Sequence, residues 1–278
     1  MTAVAVITVV HGRHDHLAAQ DRSLEVGTHR PDDRVIVAMD DPALALWRPA
    51  GAITPRVVTM GRDPRGLPLA AARNAGASAA IEQGAEVVVF LDVDCLASPD
   101  LVADYADAVT GEPRRIWSGP VTYLPPAPPG GYPLTALDAW DDPHPARPAP
   151  PPGDRVRGGD PDLFWSLSFA VHRDTWARVG GFCEEYAGYG GEDTDFAQVA
   201  TAAGVGLGWT GAARAFHQHH AVESPPVRHL DDILRNGAIF HRRWGRWPMQ
   251  GWLRAFEELG LVRREGEAWV HAESLHGV

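Results

Sequence analysis

Four short runs rich in β-branched residues, Val4–Val10, Val35–Ala38, Val57–Met60 and Val87–Asp92, punctuate the first hundred residues, with helical stretches between them. Strand-length runs alternating with helices are the pattern of an α/β sheet whose strands are joined by crossover helices. Between the third and fourth runs, Leu69–Gln83 is rich in alanine, spaces its apolar residues as a helix does, and is stopped by Gly84. Ser98-Pro99-Asp100 reads as the next helix start, with Ser98 as N-cap and Pro99 at the first helical position.

After a strand over Ile116–Tyr123 the composition changes abruptly, and residues 125–161 hold 12 of the 24 prolines. So many missing backbone donors cannot support helix or sheet ladders, and 124–162 is read as one long loop and candidate lid, with a short helix around Leu134–Trp140. Regular structure is expected again at Leu163–His172 (strand), Thr175–Val179 (helix), from Glu192 (helix), and at Val205–Thr210 and Arg214–His217 (strands). From Asp231 two helices separated at Pro248 carry Trp244, Trp247 and Trp252, which are read as packing residues.

Composition excludes several functions. The net charge of -11 leaves no basic stripe to displace counterions from nucleic acid, and all 25 basic residues are arginine. The two cysteines, Cys95 and Cys183, form neither a disulfide framework nor a CxxC pair, and read as the free thiols of a cytoplasmic protein. Val4–Val10 is too short to span a bilayer and lacks the basic flank of a signal peptide, so neither secretion nor a transmembrane segment is expected.

Two segments carry chemistry. Phe90-Leu91-Asp92-Val93-Asp94 is an apolar strand ending in two carboxylates. Residues two apart on a strand face one side, so both acids are expected to project into the crevice at the carboxyl end of the sheet, where carboxylate oxygen suits Mg²⁺ or Mn²⁺. The second segment runs from Val179 through Gly188, Gly190 and Gly191 to Glu192-Asp193-Thr194-Asp195-Phe196. Its glycines permit close backbone approach to a ligand, and its acids suit the first turn of a helix. Either segment alone is equally well explained as a solvated turn or a cap.

Together they make a resemblance. The opening strand with its polar loop, Arg73-Asn74-Ala75-Gly76, the FLDVD pair and the GGF…YGGEDTDF segment follow one another as in family 2 glycosyltransferases. The C-terminal part resembles the galactosyltransferase domain of β-1,4-galactosyltransferases and polypeptide N-acetylgalactosaminyltransferases. The resemblance covers roughly residues 4–220 and implies a GT-A (Rossmann-like) fold, a mixed, mainly parallel sheet flanked by helices, over residues 1–227; residues 228–278 fall outside it and read as a C-terminal helical extension.

It also implies roles. Asp40 matches the acid at the nucleobase, although Asp40-Asp41-Pro42-Ala43 stands where the family has a Gly-Ser turn. Arg73 and Asn74 match the segment beside the nucleotide, Asp92 the acid near the ribose or donor sugar, and Asp94 a metal ligand. Asp193 matches the general base and Glu192 its acceptor-holding neighbour. A histidine completes the metal shell in galactosyltransferase-like members. Phe216-His217-Gln218-His219-His220 stands at that place, with His217 the first choice and His219 the alternative facing the same way if the segment is extended. His11, His14 and His16 read as the polar loop after the first strand.

The expectation is an inverting glycosyltransferase that uses Mn²⁺ or Mg²⁺ to move a sugar from a nucleotide diphosphate, UDP favoured, to a carbohydrate or small-molecule hydroxyl. Two rivals are a nucleotidyltransferase of related fold, against which Val10-His11-Gly12-Arg13 offers one glycine and no lysine, and a non-catalytic nucleotide-sugar binder.

Overall fold

Seven consecutive residues with no charge among them can be buried on both faces only in the middle of a sheet covered on both sides. That is where β1 (Val4–Val10) lies, buried at every position, in a computed structural model that describes residues 2–49, 51–221 and 223–272. After α1 (His14–Glu25), β2 (Asp33–Met39) and β3 (Arg56–Met60) add in parallel on one side of β1. Helix α2 (Leu69–Glu82) crosses back, and β4 (Val87–Leu91) adds in parallel on the other side.

A short β5 (Cys95–Ala97) and α3 (Leu101–Gly111) follow. Ser98 is not the N-cap: Asp100 holds that position without a side-chain cap bond, and the Ser98 hydroxyl donates to the Ala212 carbonyl instead. The single strand expected at Ile116–Tyr123 is two, β6 (Arg115–Ser118) and β7 (Val121–Tyr123), in different sheets. Gly119 makes the break, because a Cβ there would come 1.7 Å from the Ala213 carbonyl oxygen.

The proline-rich segment is more ordered than its composition suggests. It contains β8 (Arg155–Arg157), which pairs antiparallel with the later β10 (Gly206–Thr210), and a 3-10 turn at Leu137–Trp140. Leu137 is buried against Leu96, Leu124 and Phe216. Arg147 lies between the rings of Trp165 and Trp209, at 5.2 and 4.7 Å, where cation–π attraction offsets part of its desolvation. β9 (Ser168–His172) starts later than expected and runs antiparallel to β4 and β6. Then come α4 (Arg173–Val179), α5 (Glu192–Ala202), β10 and β11 (Ala215–His217).

The main sheet has the order β3-β2-β1-β4-β9-β6-β10-β8, and β5-β11-β7 forms a second, smaller one. Alternate residues build two cores. Ala5, Ile7, Val9, Val88 and Phe90 pack under α2, α4 and α5, whereas Val4, Val6, Val87, Val89 and Leu91 pack under α3 and the end of α1. Asp92, just beyond the end of β4, faces Arg73 of α2.

At the C-terminal end α6 (Leu230–Trp244) and α7 (Gln250–Glu258) meet around Pro248 and share a core containing Ile233, Trp247, Leu253 and Phe256. The extension is not purely helical: β12 (Val262–Glu265) and β13 (Ala268–His271) form an antiparallel hairpin, too short to stand out as an apolar run. The end of the 228–278 extension, residues 273–278, lies outside the described residues. No described helix is long and apolar enough to cross a membrane.

Candidate active site

A cavity of about 820 Å³ opens at the carboxyl ends of β1 and β4, lined among others by Arg13, Arg73, Asp92, Asp94, Glu192 and Asp193. The main strand stops at Leu91, so Asp92 and Asp94 do not project together from a strand; a tight turn, closed by the Cys95 amide on the Asp92 carbonyl (2.8 Å), divides them. Gln20 of α1 holds this turn, donating to the carbonyls of Asp92 (2.6 Å) and Cys95 (2.8 Å). Both acids still reach the cavity, with different partners.

Asp92 faces Arg73, whose Nη2 is 3.5 Å from Oδ1. Arg73 is only 4% exposed, and its Nη1 also donates to Glu192 Oε1 at 3.0 Å. One buried guanidinium on α2 therefore ties the acid after β4 to the acid at the start of α5. Desolvation pushes the Asp92 carboxyl up to about 6 against the opposing charge of Arg73. Asn74 lies outside the cavity lining: its amide donates to the Phe182 carbonyl and accepts from the Phe182 amide, anchoring the chain before the glycine turn.

Asp94 is 8% exposed. Its Oδ1 is 3.4 Å from His217 Nε2, and its Oδ2 is 3.4 Å from His220 Nε2 and 2.7 Å from Arg13 Nη1. Burial alone would raise this carboxyl; the bond from His220 and the charges of His217 and Arg13 outweigh it and hold the group below the ordinary range. Burial lowers His217, while the bond to Asp94 raises His220. One ligand atom from each of Asp94, His217 and His220 lies within 4.8 Å of the others.

His219 is not the second imidazole. β11 ends at His217, and Gln218 is buried, its amide on the Asp94 carbonyl (2.6 Å) and its side chain on the His16 carbonyl (3.1 Å). The chain therefore does not continue extended past His217. The turn brings His220 back to Asp94, while the His219 amide donates to the Tyr132 hydroxyl beside a separate small pocket. Alternation of side chains, which favoured His219, holds only inside a strand.

On the opposite wall, Gly191 N-caps α5 in the left-handed region, at φ 92°. A Cβ on Gly190, at φ 91°, would meet Met249 Sδ at 2.7 Å. Three backbone carbonyls of this turn, those of Ala187, Tyr189 and Gly190, accept from Asn236 Nδ2 at 2.9–3.2 Å. Asn236 is fully buried on α6, and no motif pointed to it. Asp193 accepts the Thr194 amide on Oδ1 at 2.7 Å. Desolvation, and then the charge of Glu192, push its carboxyl up to about 7. Glu192 Oε2 is buried with no hydrogen-bond partner among the described residues.

Asp40 stands apart from the cavity, at φ 47° after β2, its carboxylate 46% exposed and 3.8 Å from Arg62. Its neighbour Asp41 is more tightly used, accepting the Gly12 amide and His14 Nε2, both at 2.8 Å. His11 and Met39 line the cavity at this end, and His11 Nδ1 is 2.8 Å from the Met39 carbonyl. Among the C-terminal tryptophans, Trp247 is 5% exposed and packs in the core of the extension. Trp252, half-buried, is part of the cavity wall, 5.7 Å from the Tyr189 ring.

Residues 6–126 match the family described as glycosyl transferase family 2, and residues 162–229 match the family described as the N-terminal domain of galactosyltransferase. The proline-rich segment falls between the two matches, and α6 onward lies beyond both. No curated protein matches the chain by overall sequence. A crystal structure of GalNAc-T7 with UDP, GalNAc and Mn²⁺ is similar in fold, with a TM-score of 0.57 and 14% identity over 93% of this chain. The match spans 57% of that longer protein.

Proposed function

Taking the chain as the GT-A glycosyltransferase that its two family matches and its fold make it, we propose that it transfers a sugar from a UDP-sugar to an acceptor hydroxyl with inversion, using a divalent metal. The observation that carries this reading is a division of labour around one cavity: the Asp94 carboxylate on its wall, backed by the imidazoles of His217 and His220, and the Asp193 carboxyl, raised to about 7, elsewhere in the same lining.

The donor set fits a first-row divalent ion. One buried carboxylate directs each oxygen at a separate imidazole, and mixed oxygen and nitrogen ligands suit Mn²⁺. Asp94, His217 and His220 would hold the ion, which when bound supplies the charge that stabilises a departing diphosphate.

The remaining roles fall to the chain's own groups. Asp193, with an affinity for protons matched to neutral pH, takes the proton from the acceptor hydroxyl. Glu192, fixed through Oε1 by Arg73, presents its unpartnered Oε2 to a hydroxyl of acceptor or donor. Asp92, held by the same arginine, borders the space for the donor sugar. Trp165, Tyr189 and Trp252 supply ring surface for a sugar acceptor. Inversion follows from Asp193 acting as base toward the acceptor, so that no covalent sugar intermediate is formed. UDP as the nucleotude carrier rests on the ligand of the GalNAc-T7 structure.

Incubation with a panel of nucleotide sugars, Mn²⁺ and simple glycoside acceptors tests the reading. Release of UDP with formation of a glycoside is expected. Pyrophosphate released in a parallel incubation with a nucleoside triphosphate and a sugar 1-phosphate, with no transfer from any nucleotide sugar, would point to the nucleotidyltransferase chemistry instead, and no turnover in either mixture would leave a binding protein.

A further inference from the structure

Arg13 donates through Nη1 to Asp94 Oδ2 at 2.7 Å, the same oxygen that faces His220 at 3.4 Å. It is the closest cation to that carboxylate, and its side chain is 36% exposed to the cavity it lines. Asp94 is the only ion-pair partner of this guanidinium among the described residues.

The backbone beneath it is held by other means. Gly12 and Arg13 are both left-handed, at φ 62° and 54°, and Asp41 fixes the turn by accepting the Gly12 amide and the next residue's imidazole, His14. Releasing Arg13 from Asp94 therefore requires only side-chain rotation, with the turn left intact.

We propose that Arg13 is a built-in competitor for the metal position, its guanidinium and a divalent ion sharing Asp94 Oδ2, and that it moves from Asp94 to the donor's diphosphate when the ion is bound. A guanidinium cannot keep a 2.7 Å contact with an oxygen that also ligates a dication without strong like-charge repulsion. A donor's diphosphate bound in this cavity is an anion for which arginine's planar fork is suited, whereas Asp92 and Glu192 are already held by Arg73. Metal and nucleotide are thus coupled through one side chain, and by linkage each raises the affinity of the other. The inference rests on the metal reading of Asp94 given above, and it adds a cost to metal binding in the absence of nucleotide.

Mn²⁺ binding, read from the electron paramagnetic resonance signal of the free ion with and without UDP, tests this independently of turnover. Arg13→Met keeps an unbranched side chain at the same left-handed position but removes the charge. Without UDP it should bind Mn²⁺ roughly 5- to 10-fold more tightly than the unaltered protein, as expected for loss of a partly exposed ion pair and of a nearby positive charge. Arg13→Lys should stay close to the unaltered protein. The enhancement of Mn²⁺ affinity by UDP should be smaller in Arg13→Met. Equal or weaker Mn²⁺ binding by Arg13→Met, while the unaltered chain binds Mn²⁺ and Asp94→Asn does not, would overturn the competition and leave the metal site standing. Failure of the unaltered protein and all variants to bind Mn²⁺ would overturn both.

Discussion

Replacing Glu192 by Gln should move the acidic limb of the pH–rate profile downward. Asp193 stands at about 7 instead of 3.8, a displacement equivalent to roughly 4 kcal/mol against its charged form. Burial is the largest cause and the negative charge of Glu192 the next, while Arg73 opposes both. Glu192→Gln removes that charge and also leaves Arg73, now paired only with Asp92, freer to stabilise Asp193. Both effects favour the carboxylate. A unit charge at close range in a partly buried site is worth on the order of 1–2 kcal/mol, so the limb should fall by about one unit. The active form of a base is the carboxylate, so activity is present above its pKa and is lost as pH falls through it. The midpoint is expected near 7 for the unaltered protein and near 6 for the variant. The assay is kcat/KM for transfer from about pH 5 to 9, which reports the free enzyme. Running it at two saturating Mn²⁺ concentrations separates this titration from that of the metal ligands. A limb that stays in place or rises would refute the coupling between the two acids.

Asp193→Asn should lower turnover by roughly 10²–10⁴ while leaving UDP affinity near normal, measured by steady-state kinetics and calorimetry. The same variant should be more stable than the unaltered protein at pH 8, by on the order of 1–2 kcal/mol, and not at pH 4. A carboxyl whose folded pKa lies above its unfolded one destabilises the fold once it ionises, fully above about 7 and not below 3.8; melting curves at the two pH values check the sign. Excess chelator should abolish transfer and Mn²⁺ restore it. His217→Ala and His220→Ala should each weaken Mn²⁺ binding by at least the roughly 10- to 100-fold that loss of an outer-shell partner costs, with little change for His219→Ala. Arg73→Met should destabilise the protein by roughly 3–5 kcal/mol in urea titrations, because two acids lose their shared buried counter-ion.

Much of this architecture is legible without coordinates because its signals are local. The apolar runs that become β1 and β4 and the alanine-rich α2 need no distant partner to be recognised, and β4 ends within one residue of the boundary read from its carboxylates. What stayed hidden depends on tertiary contacts. A break at Gly119 is invisible until the Ala213 carbonyl is seen against it. β8 takes its ladder partner from β10, some fifty residues on, and nothing in its own composition announces that.

The site divides in the same way. Asp92, Asp94, Glu192 and Asp193 converge from two separated motifs, and His217 comes with them. His220 replaces His219 because the buried Gln218 turns the chain, a contact that strand periodicity cannot express. Asn236 reaches the glycine turn, and Trp252 the cavity wall, from helices that carry no motif. Arg13 was visible only as one residue of a polar loop, and its meaning comes from an Asp94 oxygen 81 positions away.

The most direct test of the central claim is the anomeric configuration of the product. With an α-linked UDP-sugar, Mn²⁺ and an accepted glycoside, proton NMR of the reaction should show UDP release matched by a β-linked product, with turnover falling when Asp193 is replaced by Asn. An α-linked product would contradict single displacement with Asp193 as base.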